Sequence, residues 1–284
     1  MQRGCKQLGW TYEKWSTEEY PVTRLAQMAW SPRDVLWCPS EWPEGGETWP
    51  VKVVAGPSLC TVPCKTCKPW SLPEHTWATG SKVVTVPSEW VARLYRNALD
   101  QPHLPLRVAP FGVESNRFVS RRSTPRDTWM LYVKHRHPKV EEKVRAYLKD
   151  VGVTVETVRY GHYREEDYLQ LLRRCRGAVW LAASESQGFA QLEAWSCDVP
   201  TLVCDVKTWG EEYHRNTVQF TPAPQVPATG VPYWSNQCGE RLTKLQHFPL
   251  KWKTFVSRLT QYTPRRWVLQ RFNEARCLRY LVEG

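Results

Sequence analysis

The stretch that most constrains how this chain folds is residues 177–205, GAVWLAASESQGFAQLEAWSCDVPTLVCD. The apolar run Ala178–Ala183 reads as a buried strand. Ser184 stands where that strand hands over to a helix, and Gly188 lies in the turn. A helix opening near Phe189 carries Leu192, Trp195 and Ser196 on its inner side. Pro200 ends the unit, and Thr201–Cys204 reads as the next buried strand. Strand, glycine-containing turn, helix, strand is half of a doubly wound α/β sheet. Such a turn is an anion site, because the amides of the helix's first turn and the helix dipole face whatever lies above it. Gly188 lets a ligand approach the backbone closely. Two carboxylates frame the turn, Glu185 before it and Glu193 inside the helix. A carboxylate accepts hydrogen bonds from paired hydroxyls, so the pair suits two sugars joined through a diphosphate.

Glu185-Ser186-Gln187-Gly188-Phe189-Ala190-Gln191-Leu192-Glu193 resembles the E-x7-E motif of retaining GT-B glycosyltransferases of the family-4 type. The following AWSCDVPTLVCD is similar to that family's EAmacGxPVvasd continuation, with Asp198 where the family usually has glycine. A second match lies upstream: VPSEWVARLYRNA and VAPFGVESNRF resemble the family's vpSxwvaelyr and vixpGVdxxxF, in the same order. The resemblance covers roughly residues 82–222. The plain alternative for the two acids is an amphipathic helix with solvated carboxylates; the in-phase strand, turn and helix argue against it.

The resemblance implies an α/β GT-B fold, two Rossmann-like domains with a cleft between them. The expected organisation is an acceptor-side domain over 1–118, a nucleotide-sugar-binding domain over 119–263, and a helix within 264–284 that crosses back to the first domain. It implies that Glu185 touches donor-sugar hydroxyls and Glu193 the ribose. Ser186, Gln187 and the amides of Gly188, Phe189 and Ala190 then meet the diphosphate. At KHRHPK (134–139) the family has GRxxxxKG, whose Arg and Lys clamp the diphosphate. Here the glycine is absent, and Arg136 and Lys139, then Lys134, take that role; three basic residues in a solvated loop are the competing reading. The turn Tyr160-Gly161 matches a segment whose backbone reads the base. The implied chemistry is retaining sugar transfer from a nucleotide diphosphate, UDP first and GDP second, to an acceptor hydroxyl. No cofactor is implied, and no metal, since cations and a helix N-terminus neutralise the leaving group and no Asp-x-Asp is present.

Length and composition allow this: 284 residues hold one large or two modest domains, and no run is long enough to span a bilayer. The opening MQRGCKQLGWTYEKW has no apolar h-region, so a soluble cytoplasmic protein is expected. Among ten cysteines, Cys60, Cys64 and Cys67 with Cys38 form a weak structural-zinc alternative to free thiols. Cys175, Cys197 and Cys204 sit inside apolar elements as small hydrophobes.

The net charge is +11, and residues 239–284 hold ten Lys/Arg against three Glu. Aromatics stand between them (Trp252, Phe255, Tyr262, Trp267, Phe272 and Tyr280). This is a footprint for a polyanion, DNA included, set against a helical segment whose aromatics are core. The anionic partner is either a glycan or lipid acceptor at an anionic surface, or hydroxymethylated DNA with the base extruded. A different class of function is a non-catalytic nucleic-acid-binding protein on a GT-B scaffold; retention of both Glu185 and Glu193 argues against it.

Along the chain, a short helix is expected near Val22–Ala29, strands at 35–38, 51–56 and 82–88, and a helix over 89–99 capped by Ser88. Gly45–Gly46 is a phosphate-loop candidate that is more simply a turn, and His75 is a cleft candidate that is more simply an exposed loop residue. Residues 106–118 read as strand and exit loop, 119–127 as linker, and 128–134 as strand. A helix ending on Gly152 follows, then a strand over 154–163, a helix over 164–177 with Tyr168, Leu171 and Leu172 facing in, and a strand at Val218–Phe220. A Pro-rich loop spans 221–238, and the remainder reads as two or three helices.

Overall fold

A computed structural model describes residues 2–14, 24, 27–38, 49–56, 82–98, 106–120, 125–213 and 227–283. The chain divides into two compact units. Residues up to Gly112 and the last helix make one; Val113–Thr217 and Thr221–Asn273 make the other.

The first unit holds α1 (Gln2–Leu8), β1 (Val35–Cys38), β2 (Lys52–Ala55), β3 (Lys82–Val86), α2 (Glu89–Ala98), β4 (Arg107–Val108) and, from the far end of the chain, α8 (Glu274–Glu283). Its sheet runs β1-β2-β3-β4, all parallel. Parallel strands covered on both faces need continuous apolar runs, and Val53, Val54, Val83, Val84 and Val86 are each at most 1% exposed. Helices α1 and α8 pack together over this sheet. Cys5, Val54, Val83, Ala109, Leu278 and Leu281 form one core cluster.

The second unit holds β5 (Thr128–Lys134), α3 (Pro138–Asp150), β6 (Val155–Arg159), α4 (Glu165–Arg174), β7 (Cys175–Ala182), α5 (Phe189–Ser196), β8 (Thr201–Cys204), β9 (Gly239–Leu242), α6 (Phe248–Ser257) and α7 (Pro264–Arg271). The sheet order is β6-β5-β7-β8-β9, all parallel. Side-chain alternation sorts its two faces. Trp129, Leu131, Val133, Val179, Leu181, Leu202 and Leu242 join Val144 and Leu148 of α3 and Phe248, Trp252 and Phe255 of α6. On the opposite face Tyr132 stacks on Trp180 at 4.0 Å. There Trp195 of α5 donates to Thr201 Oγ1 of β8 at 3.0 Å. Helix α3 ends as the sequence predicts: Gly152 has φ 73°, and Val153 N–H reaches Leu148 O while Gly152 N–H reaches Lys149 O. That is a Schellman close, in which glycine bears the left-handed turn.

Two expectations are corrected. The segment 239–284 is not all helix: Gly239–Leu242 is the fifth strand, with Thr201↔Gly239 in register. Its four residues, GERL, carry no apolar run, and only the side-by-side fit to β8 makes them a strand. A Cβ at Gly239 would stand 2.0 Å from Thr201 O, so only glycine fits there. The helix drawn over 164–177 stops at Arg174, because Cys175–Gly177 already pairs with β5. For the aromatics of 239–284 the core reading holds rather than the polyanion one: Trp252, Phe255, Tyr262, Trp267 and Phe272 are each at most 7% exposed, whereas Tyr280 is exposed. They are not available to stack on bases, which removes the aromatic half of the polyanion footprint.

Lys251 and Arg258 are drawn to the Glu240 carboxylate. Gly45–Gly46, His75, Cys60, Cys64, Cys67, the strand at Val218–Phe220 and most of the helix near Val22–Ala29 lie outside the described residues. Cys38 is the last residue of β1 and is partly buried. Among the described residues no group of His, Cys, Asp or Glu could hold a metal ion, and no helix is long and apolar enough to cross a membrane.

Candidate functional site

In the order β6-β5-β7-β8-β9 the chain starts at β5, steps to β6, then reverses past β5 to β7. Helices leaving β5 and β7 therefore depart on opposite faces, and a crevice opens at the carboxyl ends of these two strands. Topology alone sets Lys134, the last residue of β5, beside Ser184–Glu185, just beyond β7, at this switch point.

The side chains there are ordered by mutual contacts. Lys134 Nζ donates to Glu185 Oε2 at 2.7 Å, with both side chains largely buried (12% and 8% exposed). The same ammonium lies 4.3 Å from the centre of the Tyr160 ring, which is half exposed. A buried pair of this kind, held beside an aromatic face, presents an acceptor and a donor together, which is what adjacent sugar hydroxyls require.

Helix α5 begins at the crevice. Gly188 is its N-cap, left-handed at φ 81°, ψ 49°, and as glycine it brings no side chain to the cap position. Any Cβ there would be strained by the positive φ. Tyr168 of α4 donates its hydroxyl to Ala190 O at 2.6 Å and so fixes the first turn of α5. Gln187 and Ala190 are buried, and Phe189 is partly exposed.

Glu193 lies one turn on. Burial, then the charge of Glu165 and, against Arg117, that of Glu114, push its carboxyl up to about 8. A neutral carboxyl both donates and accepts, which suits a diol. The phenol of Tyr163 is raised to about 12 by burial and, next, by Glu193; Glu185 also adds to the shift. Tyr163 therefore stands within the field of both carboxylates.

Arg136 is the most telling cation. Its side chain is 9% exposed and lies 3.7 Å from Glu211. Its Nε and Nη1 are buried with no hydrogen-bond partner among the described residues. Unsatisfied guanidinium N–H groups are costly, and an anion would satisfy them. Lys139 stands apart, exposed in the first turn of α3. The Tyr160-Gly161 turn follows β6, with Gly161 at φ 77° and open space beside it.

Solved structures share this fold. Accessory secretory protein 1, 2 and 3 from Streptococcus pneumoniae matches with a TM-score of 0.54 at 11% identity, over 91% of this chain and 54% of that one. The fold is Rossmann-like α/β. Sucrose-phosphate synthase from Thermosynechococcus elongatus (TM-score 0.46, 14% identity, 80% of this chain, 66% of that one) and TarM (0.43, 12%, 71% and 43%) are looser matches. The chain thus spans 43–66% of the length of these structures. No protein-family model matches it, and no curated protein is similar to it in sequence.

Of the residues chosen from sequence, the structure gathers Lys134, Tyr160, Glu185 and Gly188 around the switch point and sets Arg136 just beyond, against Glu211. Four further residues complete the crevice. Ser184 donates to Glu212 Oε2 at 2.8 Å, and Glu212 Oε1 lies 2.8 Å from His135 Nδ1. Burial acts to raise Glu212, but the bonds from His135 and Ser184 hold it below the ordinary carboxylate range. Asp205, fully buried at the end of β8, accepts from Gly230 N–H at 2.7 Å and pairs with Arg241 at 2.5 Å. It thereby presses the 229–230 segment onto β7, where Glu185 N–H donates to Thr229 O at 3.1 Å. A Cβ at Gly230 would stand 2.4 Å from Ala182 O, so the approach is possible only for glycine. The signal for Asp205 was its place at the close of the VPTLVCD run. For His135 it was the missing glycine. Glu212 carried none, since its partners are distant in sequence.

Proposed function

We propose that the chain transfers a sugar from a nucleotide-diphosphate sugar to an acceptor hydroxyl, with the donor in the β5/β7 crevice. The observation that supports this reading is the buried Lys134–Glu185 pair at the switch point, with the start of α5 and Arg136 close by in the chain. The Lys134–Glu185 pair suits a sugar diol. The N-terminus of α5, begun by a glycine, and the unsatisfied guanidinium of Arg136 suit a diphosphate. Glu193, one turn into α5, suits the ribose.

As the glycosidic bond breaks, the leaving diphosphate gains negative charge. Fixed donors already aimed at it stabilise that charge without reorganisation. Arg136 and the first amides of α5 fill this role, with Lys139 at the rim. This set of cations is consistent with metal-independent transfer, and the E-x7-E resemblance supports a retaining outcome and a UDP- or GDP-linked donor. Burial of the aromatic residues within 252–272 favours a glycan or lipid acceptor over DNA.

A thermal-shift panel of UDP-, GDP-, ADP- and TDP-sugars without added metal tests this. A ligand that binds only the folded state at about 100 times its Kd stabilises by about 2.7 kcal/mol, so one nucleotide class should raise Tm clearly. Glu193→Ala should reduce that shift. Arg136→Ala should slow transfer more than it weakens sugar-dependent binding. Silence across the panel, with wild type and Glu193→Ala alike, sinks the proposal.

A further inference from the structure

His135 is one of two non-glycine residues with positive φ among the described residues, at φ 51°. A left-handed histidine costs of order 1 kcal/mol or more and persists only where its surroundings hold it. Three contacts hold this one. Tyr213 N–H donates to its carbonyl at 2.8 Å. The ring meets Tyr160 edge-on with centres 5.5 Å apart. Nδ1 is bonded to the largely buried carboxylate of Glu212, which Ser184 anchors from its other oxygen. Strain kept by such a chain of bonds, at the switch point of the sheet, calls for a use.

The bonding fixes the chemistry of the ring. Glu212 is an ionised acceptor, so Nδ1 must carry a proton. The imidazole is then either the Nδ1–H tautomer, with a lone pair on Nε2, or the imidazolium, with N–H on both nitrogens. The ring is 41% exposed, and Nε2 has no partner among the described residues. Facing it are Glu212, Tyr160, and Lys134 with its partner Glu185; Arg136 with Glu211, and His137 against the Tyr213 ring, lie in the adjoining turns. Glu212 is the acid in direct contact.

We propose that His135 is a titrating anion ligand of this crevice: its imidazolium, oriented by the Ser184–Glu212 chain, donates Nε2–H to a diphosphate oxygen of the bound nucleotide sugar. The inference rests on the donor-site reading above. It adds a protonation-dependent contact that Arg136, charged at every working pH, does not supply.

Intact UDP-, GDP- and ADP-sugars are suitable probes, because a diphosphate esterified at both ends keeps its charge between pH 5.5 and 8.5. Titration calorimetry over that range compares wild type with His135→Gly. Glycine accepts φ 51° without strain, which offsets part of the loss of the Glu212 bond, and the melting temperature checks that the variant is folded at each pH. Wild-type affinity should fall about tenfold from the acid to the alkaline end, the scale of one charge-assisted hydrogen bond. Affinity of the variant should lack that step and meet wild type within about twofold at pH 8.5. Glu193 titrates near the same range, but it is common to both proteins, so the difference between them isolates the histidine. Glu212→Gln should weaken binding at pH 5.5 toward that of His135→Gly, because the ring loses the carboxylate that orients it, while the melting temperature reports any purely structural effect. Superposed profiles for wild type and His135→Gly overturn this inference alone. Wild type that binds no nucleotide sugar at any pH overturns the donor site and this inference together.

Discussion

At the scale of single residues, the two left-handed non-glycine positions, His135 at φ 51° and Asp198 at φ 60°, are the two places where glycine was expected from the family resemblance and is absent. The backbone keeps the glycine conformation, and the side chain that replaces it has acquired partners. Asp198 accepts from Arg265 N–H at 3.3 Å; His135 is bonded to Glu212. Glu193 makes the sharpest prediction at this scale. It holds its proton to about pH 8 in the folded chain, against an ordinary value of 4.5. Between those values the folded state binds one more proton than the unfolded, so stability is fully present below the lower value and is lost as pH rises through the upper. Glu193→Gln should melt with wild type near pH 5 and above it at pH 9; a wild-type advantage at pH 9 would contradict the shift.

At the scale of elements, what was legible in the sequence had a local cause. Strand β5, helix α3 with its Gly152 close, and the β7–α5–β8 unit follow from apolar runs and caps a few residues apart. What was not legible depends on distant partners. Strand β9 exists because Gly239 can lie against Thr201, and the Glu212 and Asp205 networks join residues brought together only by the fold. The same holds for the end of α5. Arg126 donates to Asp198 O at 2.7 Å and also to Cys197 O, while Arg265 donates to the carbonyls of Ser196, Ser115 and Phe118 at 2.5–3.2 Å. Cations at a helix C-terminus answer its free carbonyls and its dipole. Arg265→Ala takes the side-chain donor from the Ser115 and Ser196 carbonyls and should cost about 2–3 kcal/mol, lowering the urea midpoint at unchanged slope. Arg265→Lys should recover only part, because an ammonium cannot reach separate carbonyls with a planar fork.

At the scale of the whole molecule, the first unit is discontinuous. Leu278 and Leu281 of α8 complete a core begun by Cys5, Val54 and Val83. A Cβ at Gly4 would lie 3.2 Å from Leu278 Cδ2, so α1 and α8 already meet at close range. Leu278→Ala should cost about 2–4 kcal/mol and speed amide exchange in β2 and β3, while β5 and β7 keep their protection. Equal loss of protection in both sheets would show that the two units unfold as one. The chain enters the second unit at Val113 and leaves it at Asn273, and these two residues form a parallel bridge. An order of events on the ribosome follows. All of Val113–Asn273 is synthesised before the helix that seals the earlier unit emerges, so the half made first is the half that finishes last. Until then its valine-rich strands are exposed on the nascent chain, and that interval is when they are open to a chaperone or to mispairing with a neighbour.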